Sequence, residues 1–583
     1  MLYIVYTDMA TLQKRKSRGH TYWSIVESRR VNGKPRPVIV AYLGRAEDLL
    51  KRLTEGLPHK AKSYQHGAVA TFLEIAEEYH IVQTINRHVA HRQIRDDLTV
   101  GGSLLLAAIG RICRPTSKRH WYPGWARKTS LSYLLRKSLV KLDSQHFWDQ
   151  MDALPVESIP AIEDELISKL IEKKEITLDT LLCDTTNFFT YIDTANHRTE
   201  LAQRGHNKQK RMDLRQLGLL LLISRREQMP LFHKIYQGNL VDRTIFAKQF
   251  KTMIHRFKRL TGSLESITLV FDQGNNSKKM LSEVDDTIHF VGSLSPSHHK
   301  ELIAQANPLL APITVNGKEI QSYRTRTLIW DLDLTAVVYI SPKLHQGQIR
   351  GTEQSLSKQF KALAELKDKL ARPTQRGRKR TREGIEKKVK TLTSHQLPAG
   401  LVRWHLEPLK KDAFDLAFWI DEEQFTYLKE QWFGRRILIT NRHHWSTEEI
   451  IQAYWGQTHV EKAFKLMKNP WHAALRPQYH WTDQKIEVHG FICILALLLL
   501  MMAYNRAKQK VSYKHSPQAM IDTLSSIRMS TYIEQVPEKR KGRYKVYHRL
   551  EDLEPDEQEL ADAFGLSDEK LKMKLNIPFS VYK

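Results

Sequence analysis

The chain has 583 residues, with 91 Lys plus Arg against 64 Asp plus Glu, a formal charge of +27. That length is too great for one core and predicts roughly three to five structural units, while the charge excess points to a polyanionic partner, nucleic acid in preference to a membrane surface. Three scattered cysteines, Cys113, Cys183 and Cys493, exclude a disulfide framework and a cysteine-rich zinc site and fit a reducing compartment.

The opening residues MLYIVYTDMATLQKRK carry no signal-peptide pattern, because the apolar run is short and the basic residues follow it. Thr21–Arg45 holds two β-prone runs around Asn32-Gly33, a hairpin signal, with basic residues on both arms. From Ala46 to Lys174 the apolar spacing is helical. Within it, Arg114–Ser138 interleaves Lys118, Arg119 and Arg127 with Trp121 and Trp125. Cations among aromatics suit phosphate contact with base stacking, and an irregular loop with inward aromatics is the plainer alternative.

The character changes at Leu178–Phe189, where an apolar strand runs to Asp184. Strands at Gln216–Ser224 and Pro230–Gln237 follow, then a basic amphipathic helix at Arg243–Leu260. A buried strand, Ile267–Phe271, ends at Asp272, and after a further helix a fifth strand spans Ile288–Leu294. A carboxylate at the end of an apolar strand is costly to desolvate unless a cation or donor meets it. Between the first two strands, His197–Gln216 reads as a polar, basic loop.

Residues 295–433 interrupt this pattern with β-like runs and a helical hairpin, Thr352–Ala371 and Arg380–Thr393, whose tip holds Arg378, Lys379 and Arg380. Such a charge density is either a solvated face or an anion grip. The strand pattern resumes at Arg435–Thr440 and leads into TEEIIQAYWGQTHVEKAFKLMK, Thr447–Lys468. If that stretch is one helix, Tyr454, Gln457, Glu461, Lys465 and Lys468 share a stripe, since four- and seven-residue steps return to one face. The apolar run Phe491–Tyr504, 14 residues, falls short of the ~20 needed to span a bilayer and reads as a core helix, so no membrane partner is expected. The segments expected are 1–55, 56–175, 176–294, 295–433, 434–510 and a tail at 511–583.

Asp184, Asp272 and Glu461 are the acidic residues that strand ends and a following helix would bring to one edge. Converging carboxylates call for cations, and two Mg²⁺ or Mn²⁺ ions suit all-oxygen ligands in phosphoryl chemistry. The helix YWGQTHVEKAFKLMK resembles the Y-x2-R-x3-E-x6-K signature of DDE transposases of bacterial insertion sequences, in the insertion-sequence-four superfamily and its insertion-sequence-1634-like branch. Tyr454, Glu461 and Lys468 occupy motif positions, and Gln457 stands in place of the arginine. LLCDTTNFF, RGHNKQKRMDLRQ, GNLVDRT and LVFDQGNNS resemble the same group.

The resemblance implies an α/β fold: an RNase H-like catalytic core interrupted by a β-rich insertion, here with a helical hairpin, and preceded by a β-hairpin and a helical DNA-binding region. It implies Asp184, Asp272 and Glu461 as catalytic ligands of two metal ions, with Tyr454, Gln457, Lys465 and Lys468 toward DNA. It also implies cut-and-paste transposition on double-stranded DNA, at element ends and target, by a homodimer in the cytoplasm, associated with the nucleoid. An RNase H-like nuclease without strand transfer and a domesticated, non-catalytic DNA-binding protein are the alternatives; a metal-free hydrolase is disfavoured by the lack of G-x-S-x-G.

Overall fold

The computed structural model describes residues 10–575 except 18, 32–33, 49, 51–57, 90–93, 194, 208, 273–280, 282–287, 373–379, 395–399, 410–412, 476–477 and 535–545. The chain forms two compact units. One comprises Met1–Ser158, Asn469–Pro477 and Phe491–Lys583; the other comprises Ile159–Lys468 and Gln478–Gly490.

In the first unit, β1 (Thr11–Ser17), β2 (His20–Val31) and β3 (Lys34–Arg45) form an antiparallel sheet in that order. Val31 pairs with Lys34, the register a two-residue hairpin demands, although Asn32-Gly33 itself lies outside the described residues. Residues 46–48 are helical as expected, but β4 (Pro58–Gln65) interrupts the helical run before it resumes at Gly67. β4 pairs antiparallel with the strand Arg528–Glu534, which pairs in turn with Val546–Leu550. Residues 511–583, expected as a tail, thus complete a sheet of this unit. The helix Gly67–Glu78 packs closely on Pro517–Ser526, since a Cβ at Gly67 would stand 2.5 Å from the Leu524 carbonyl oxygen. The helix Asp483–Val511 is long and apolar enough to cross a membrane, but 94% of its apolar window is buried within the protein. That is the burial of a core helix.

Two buried histidines make the first unit acid-sensitive. His66 Nδ1 lies 2.8 Å from Ser130 Oγ, and His548 Nδ1 lies 2.9 Å from Thr531 Oγ1. Burial, with Lys574 and His548 nearby, pushes His66 down to about 4, and burial pushes His548 to about 4. The folded state therefore binds fewer protons than the unfolded chain between those values and the ordinary histidine range. Stability is full above pH ~6.5 and is lost as pH falls toward 4, by about 2 kcal/mol per histidine between pH 6.5 and 5. Thermal melting across that range should show the midpoint falling with acid, and His66→Asn should flatten part of the fall.

The second unit is built on a nine-stranded sheet. β5 (Thr180–Phe189), β6 (Gln216–Ser224) and β7 (Pro230–Gln237) are followed by the helix Asp242–Thr261, β8 (Thr268–Phe271) and β9 (His289–Leu294). This is the expected order; the helix anticipated after Asp272 falls largely outside the described residues. β10 (Ala311–Val315), β11 (Lys318–Ile329) and β12 (Leu332–Ile340) precede β13 (Val402–Pro408), β14 (Phe414–Ile420) and β15 (Arg435–Thr440). The sheet order is β10-β11-β12-β15-β9-β8-β5-β6-β7. β5, β8 and β9 are mutually parallel, and every other pairing is antiparallel.

Residues 295–433 are thus only partly an insertion, because β10–β12 continue the same sheet through β15. Their first turn is set by Asn316 and Gly317, both at positive φ (50° and 72°), as a two-residue hairpin requires. The helical hairpin is formed by Pro342–Leu370, which starts well before its sequence pattern, and Arg382–Ser394, close to the expected second helix. Ser341 caps the first helix and Pro342 starts it. It packs with β13 and β14 around a cluster that includes Leu363, Val389, Leu406 and Leu416.

A polar knot clamps the edge strand β7 between two helices. Glu163 from Ile159–Glu172 meets His233 Nδ1 at 2.5 Å and an Arg256 Nη at 2.9 Å, all three under 9% exposed. Arg256 also pairs with Asp164. Burial opposes ionisation of Glu163, but His233 and Arg256 outweigh it and hold the carboxyl below its ordinary range.

Candidate active site

β5 is buried from Thr180 to Cys183, opens to partial exposure at residues 184–187 and is buried again at Phe188 and Phe189, so the strand does not end at Asp184. β8 is buried throughout and gives way to the exposed Asp272. Cys183 pairs with Phe271 in parallel register, so Asp184 and Asp272 are the next residues of adjacent strands. Phe271 likewise pairs with Gly292 of β9, which sets Ser293 beside Asp272. The Ser293 hydroxyl donates to Asp272 Oδ1 at 2.9 Å, and Asp184 Oδ1 accepts the Thr185 N–H at 2.8 Å.

Two helices follow β15 where one was expected. Thr447–Trp455 begins with a reciprocal Ser446–Glu449 capping box. Gln457–Lys468 follows after a break at Gly456. A Cβ at Gly456 would stand 2.9 Å from the Ala453 oxygen and 3.1 Å from a Leu182 methyl, so the missing side chain lets the bend approach β5. The first helix contacts β8, β9 and β15; the second contacts β5 and β6.

This division corrects the single-stripe reading for Tyr454, which lies on the first helix, while Gln457, Glu461, Lys465 and Lys468 stay together on the second. Tyr454, at the end of the first helix, is 6% exposed and turned inward rather than toward a DNA backbone. Its hydroxyl donates to Asp272 Oδ1 at 2.8 Å and accepts from an Arg436 Nη at 2.9 Å. Burial, with the Asp272 charge, holds the phenol well above its ordinary range while Arg436 pulls the other way, so the hydroxyl keeps the proton it donates. Gln457 is also buried, with Nε2 3.4 Å from the Cys183 carbonyl.

Lys468 Nζ reaches Thr186 Oγ1 at 2.5 Å and lies 5.3 Å from the Phe188 ring centre. Glu461 is exposed, one turn beyond Gln457 and two before Lys468. Because those two residues touch Cys183 and Thr186, the stripe carrying Glu461 overlies the part of β5 that holds Asp184. Lys465 is exposed on the same helix. Among the described residues no three His, Cys, Asp or Glu side chains stand as a group that could hold a metal ion. Asp184 and Asp272 are neighbours in register, and with Glu461 they do not form such a group.

The other predicted DNA contacts divide. Trp121 and Trp125 are each 4% exposed, packed edge to face on one another, with Trp121 also against Phe147. A Cβ at Gly110 would stand 2.3 Å from Trp121 Nε1, so the glycine makes the slot for that indole. These rings are core, not stacking platforms. Arg119 and Arg127 are exposed and Lys118 is half-buried. Arg378 and Lys379 lie outside the described residues. Arg380 donates to the Arg372 carbonyl at 2.8 Å and lies 3.5 Å from that of Leu370, closing the C-terminal end of a helix.

The first unit holds a basic groove that sequence reasoning missed except for Arg127. A recess of about 550 Å³ is lined by Gln65, Arg114, Lys128 and His472, with Trp471, 67% exposed, at its rim. A second of about 350 Å³, sharing Gln65 and Lys128, adds Lys62, Arg127 and Arg528. Asp522 and Glu551 temper the charge, Asp522 paired with His472 and Glu551 near Arg528. Strand pairing across the chain assembles this groove, so no local sequence signal shows it.

Residues 10–69, which include β1–β4, match the family model described as IS1634 family transposase, N-terminal domain. The match supports an insertion-sequence transposase. No curated protein matches the chain. Among solved structures, it is similar to the piggyBac transposase synaptic complex with hairpin DNA, determined by cryo-EM, at 9% identity and a TM-score of 0.34 over 79% of each chain.

Proposed function

We propose that the chain is a DNA transposase that binds the inverted-repeat ends of a mobile element, cuts them at a carboxylate site and joins the freed ends to target DNA. The observation that carries this reading is the register that sets Asp184, midway along β5, beside Asp272, just past the end of the parallel strand β8, with the Glu461 helix laid along β5. The sheet segment β7-β6-β5-β8-β9, an antiparallel β5-β6-β7 meander extended by β8 and β9 parallel to β5, supports an RNase H-like core. The transposase-type N-terminal segment supports the same class.

All three donors are hard carboxylate oxygens, the ligand type Mg²⁺ and Mn²⁺ take, and Asp272 is already oriented by hydrogen bonds of the kind that support a ligand. Asp184, Asp272 and Glu461 would hold two such ions, with Glu461 completing the set when DNA is bound. Divalent ions there would supply charge neutralisation at phosphorus. Lys468, at the same strand edge, offsets the negative charge of the scissile phosphate, and separately the groove of Lys62, Arg127, Lys128 and Arg528 in the other unit binds DNA backbone phosphates. Water attacks phosphorus and the 3′ oxygen leaves as a hydroxyl. That hydroxyl then attacks a target phosphodiester, displacing a target 3′-OH. Pairing two ends requires two active sites, hence a homodimer on DNA.

Incubating purified protein with labelled end duplexes and target DNA in Mg²⁺ tests this. Cut ends and joined products are expected. Cut ends without joined products identify a nuclease, and binding with neither identifies a non-catalytic DNA-binding protein.

A further inference from the structure

We infer that Arg436 is a positioning residue for the carboxylate site: acting through Tyr454, it fixes Asp272 in its ion-binding orientation. The inference rests on Asp272 being an ion ligand.

Arg435 and Arg436 are consecutive on β15, so the pleat sends them to opposite faces. Arg435 is 5% exposed and occupied with main-chain oxygens, its guanidinium donating to the carbonyls of Phe433 and Glu430. Arg436 takes the other face, that of the Thr447–Trp455 helix. One of its Nη atoms donates to the Tyr454 oxygen at 2.9 Å, and its guanidinium carbon lies 5.7 Å from that ring centre.

The Tyr454 hydroxyl has one proton and two acceptors within reach, Asp272 Oδ1 at 2.8 Å and Ser293 Oγ at 3.2 Å. The Arg436 N–H occupies a lone pair of the phenol oxygen and so biases where that proton points. With Arg436 in place it points at Asp272, and Ser293 donates to the same Oδ1 at 2.9 Å. Two donors on one oxygen hold the carboxylate at a fixed angle. Without the guanidinium, the phenol can turn to Ser293, and Asp272 loses one or both anchors. Polarisation along the chain Arg436–Tyr454–Asp272 strengthens each link beyond its isolated value. Gln457, uncharged and turned onto the Cys183 carbonyl, does not supply this cation.

Groups that orient a metal ligand typically account for a 10–100-fold change in affinity when removed. Mn²⁺ titration of the full chain, read by electron paramagnetic resonance, should show about 10–100-fold weaker binding for Arg436→Gln. Arg436→Lys, which retains a charged donor, should recover much of that loss. Tyr454→Phe should weaken binding similarly, and the double variant Arg436→Gln/Tyr454→Phe should be no worse than the worse single change, because both break one path. Melting curves check that each variant folds; if Arg436→Gln does not, the Arg436→Lys and Tyr454→Phe arms decide. Wild-type Mn²⁺ affinity in Tyr454→Phe or in folded Arg436→Gln, or additive losses in the double variant, would overturn the inference alone. A wild-type chain that binds no Mn²⁺ overturns it together with the reading of the site.

Discussion

Asp272→Asn should reduce cleavage of an end duplex by at least about 10³-fold while leaving DNA affinity within about twofold. Asparagine keeps an Oδ1 for the Ser293 and Tyr454 hydroxyls, which now donate at 2.9 and 2.8 Å, so the strand end retains its shape. What is lost is the negative charge that holds a divalent ion, and with it several kcal/mol of transition-state stabilisation at phosphorus. Binding is spared because the groove residues Lys62, Arg127, Lys128 and Arg528 belong to the other unit of the chain. Labelled-duplex cleavage and gel-shift titration on the same preparation separate the two effects. Cleavage by Asp272→Asn at the wild-type rate would place the chemistry elsewhere.

The largest stability loss is expected for Glu163→Ala, about 3 kcal/mol or more. The carboxylate offsets the buried Arg256 guanidinium and accepts from His233, and removing one partner of a buried pair leaves the other desolvated without its counter-charge. Asp164 remains against Arg256, which keeps the loss near the lower end of the range for such pairs. The pH dependence has a definite sign. A carboxyl held below its ordinary range stabilises the fold above its unfolded pKa and loses that contribution as pH falls through the folded one. Chemical denaturation at neutral pH should therefore show the full difference between wild type and Glu163→Ala, and in strong acid the two should converge. Because the knot ties β7 to two helices, the variant should also raise hydrogen exchange along that edge strand.

The strands around the site were legible because each is a short apolar run ending at a polar break. Asp184 and Asp272 stood out as carboxylates beside buried strand residues, whereas the parallel register that makes them neighbours came from the structure. The single helix read across Thr447–Lys468 was not what forms, because periodicity cannot sense that Gly456 closes on Leu182 of a distant strand. Tyr454 and Gln457 both face protein, which their polar side chains did not signal. Trp121 and Trp125 show the limit of composition: cations beside indoles look the same whether the rings point out or in. Gly110 in the apolar helix Val100–Cys113 was the available hint, since it vacates the space the Trp121 ring fills.

Arg436 was invisible because RRILIT reads as an ordinary basic strand, and only the pairing of β15 with β9 brings it near Asp272. The sheet that joins β4 to Arg528–Glu534 links residues more than four hundred positions apart, for which neither segment carries a local signal. The Glu163 knot was likewise hidden, because Glu163 sits in an acidic run, His233 beside Lys234 and Arg256 in a basic helix, and none of these settings shows which charge is turned inward.

That Asp184, Asp272 and Glu461 act as one site is tested most directly by counting Mn²⁺ ions on the chain bound to an uncleavable end duplex, in wild type and in Glu461→Gln. Two ions in the wild type, and fewer or more than about tenfold weaker ions in Glu461→Gln, are predicted. The same count with the same affinity in Glu461→Gln would contradict the assignment.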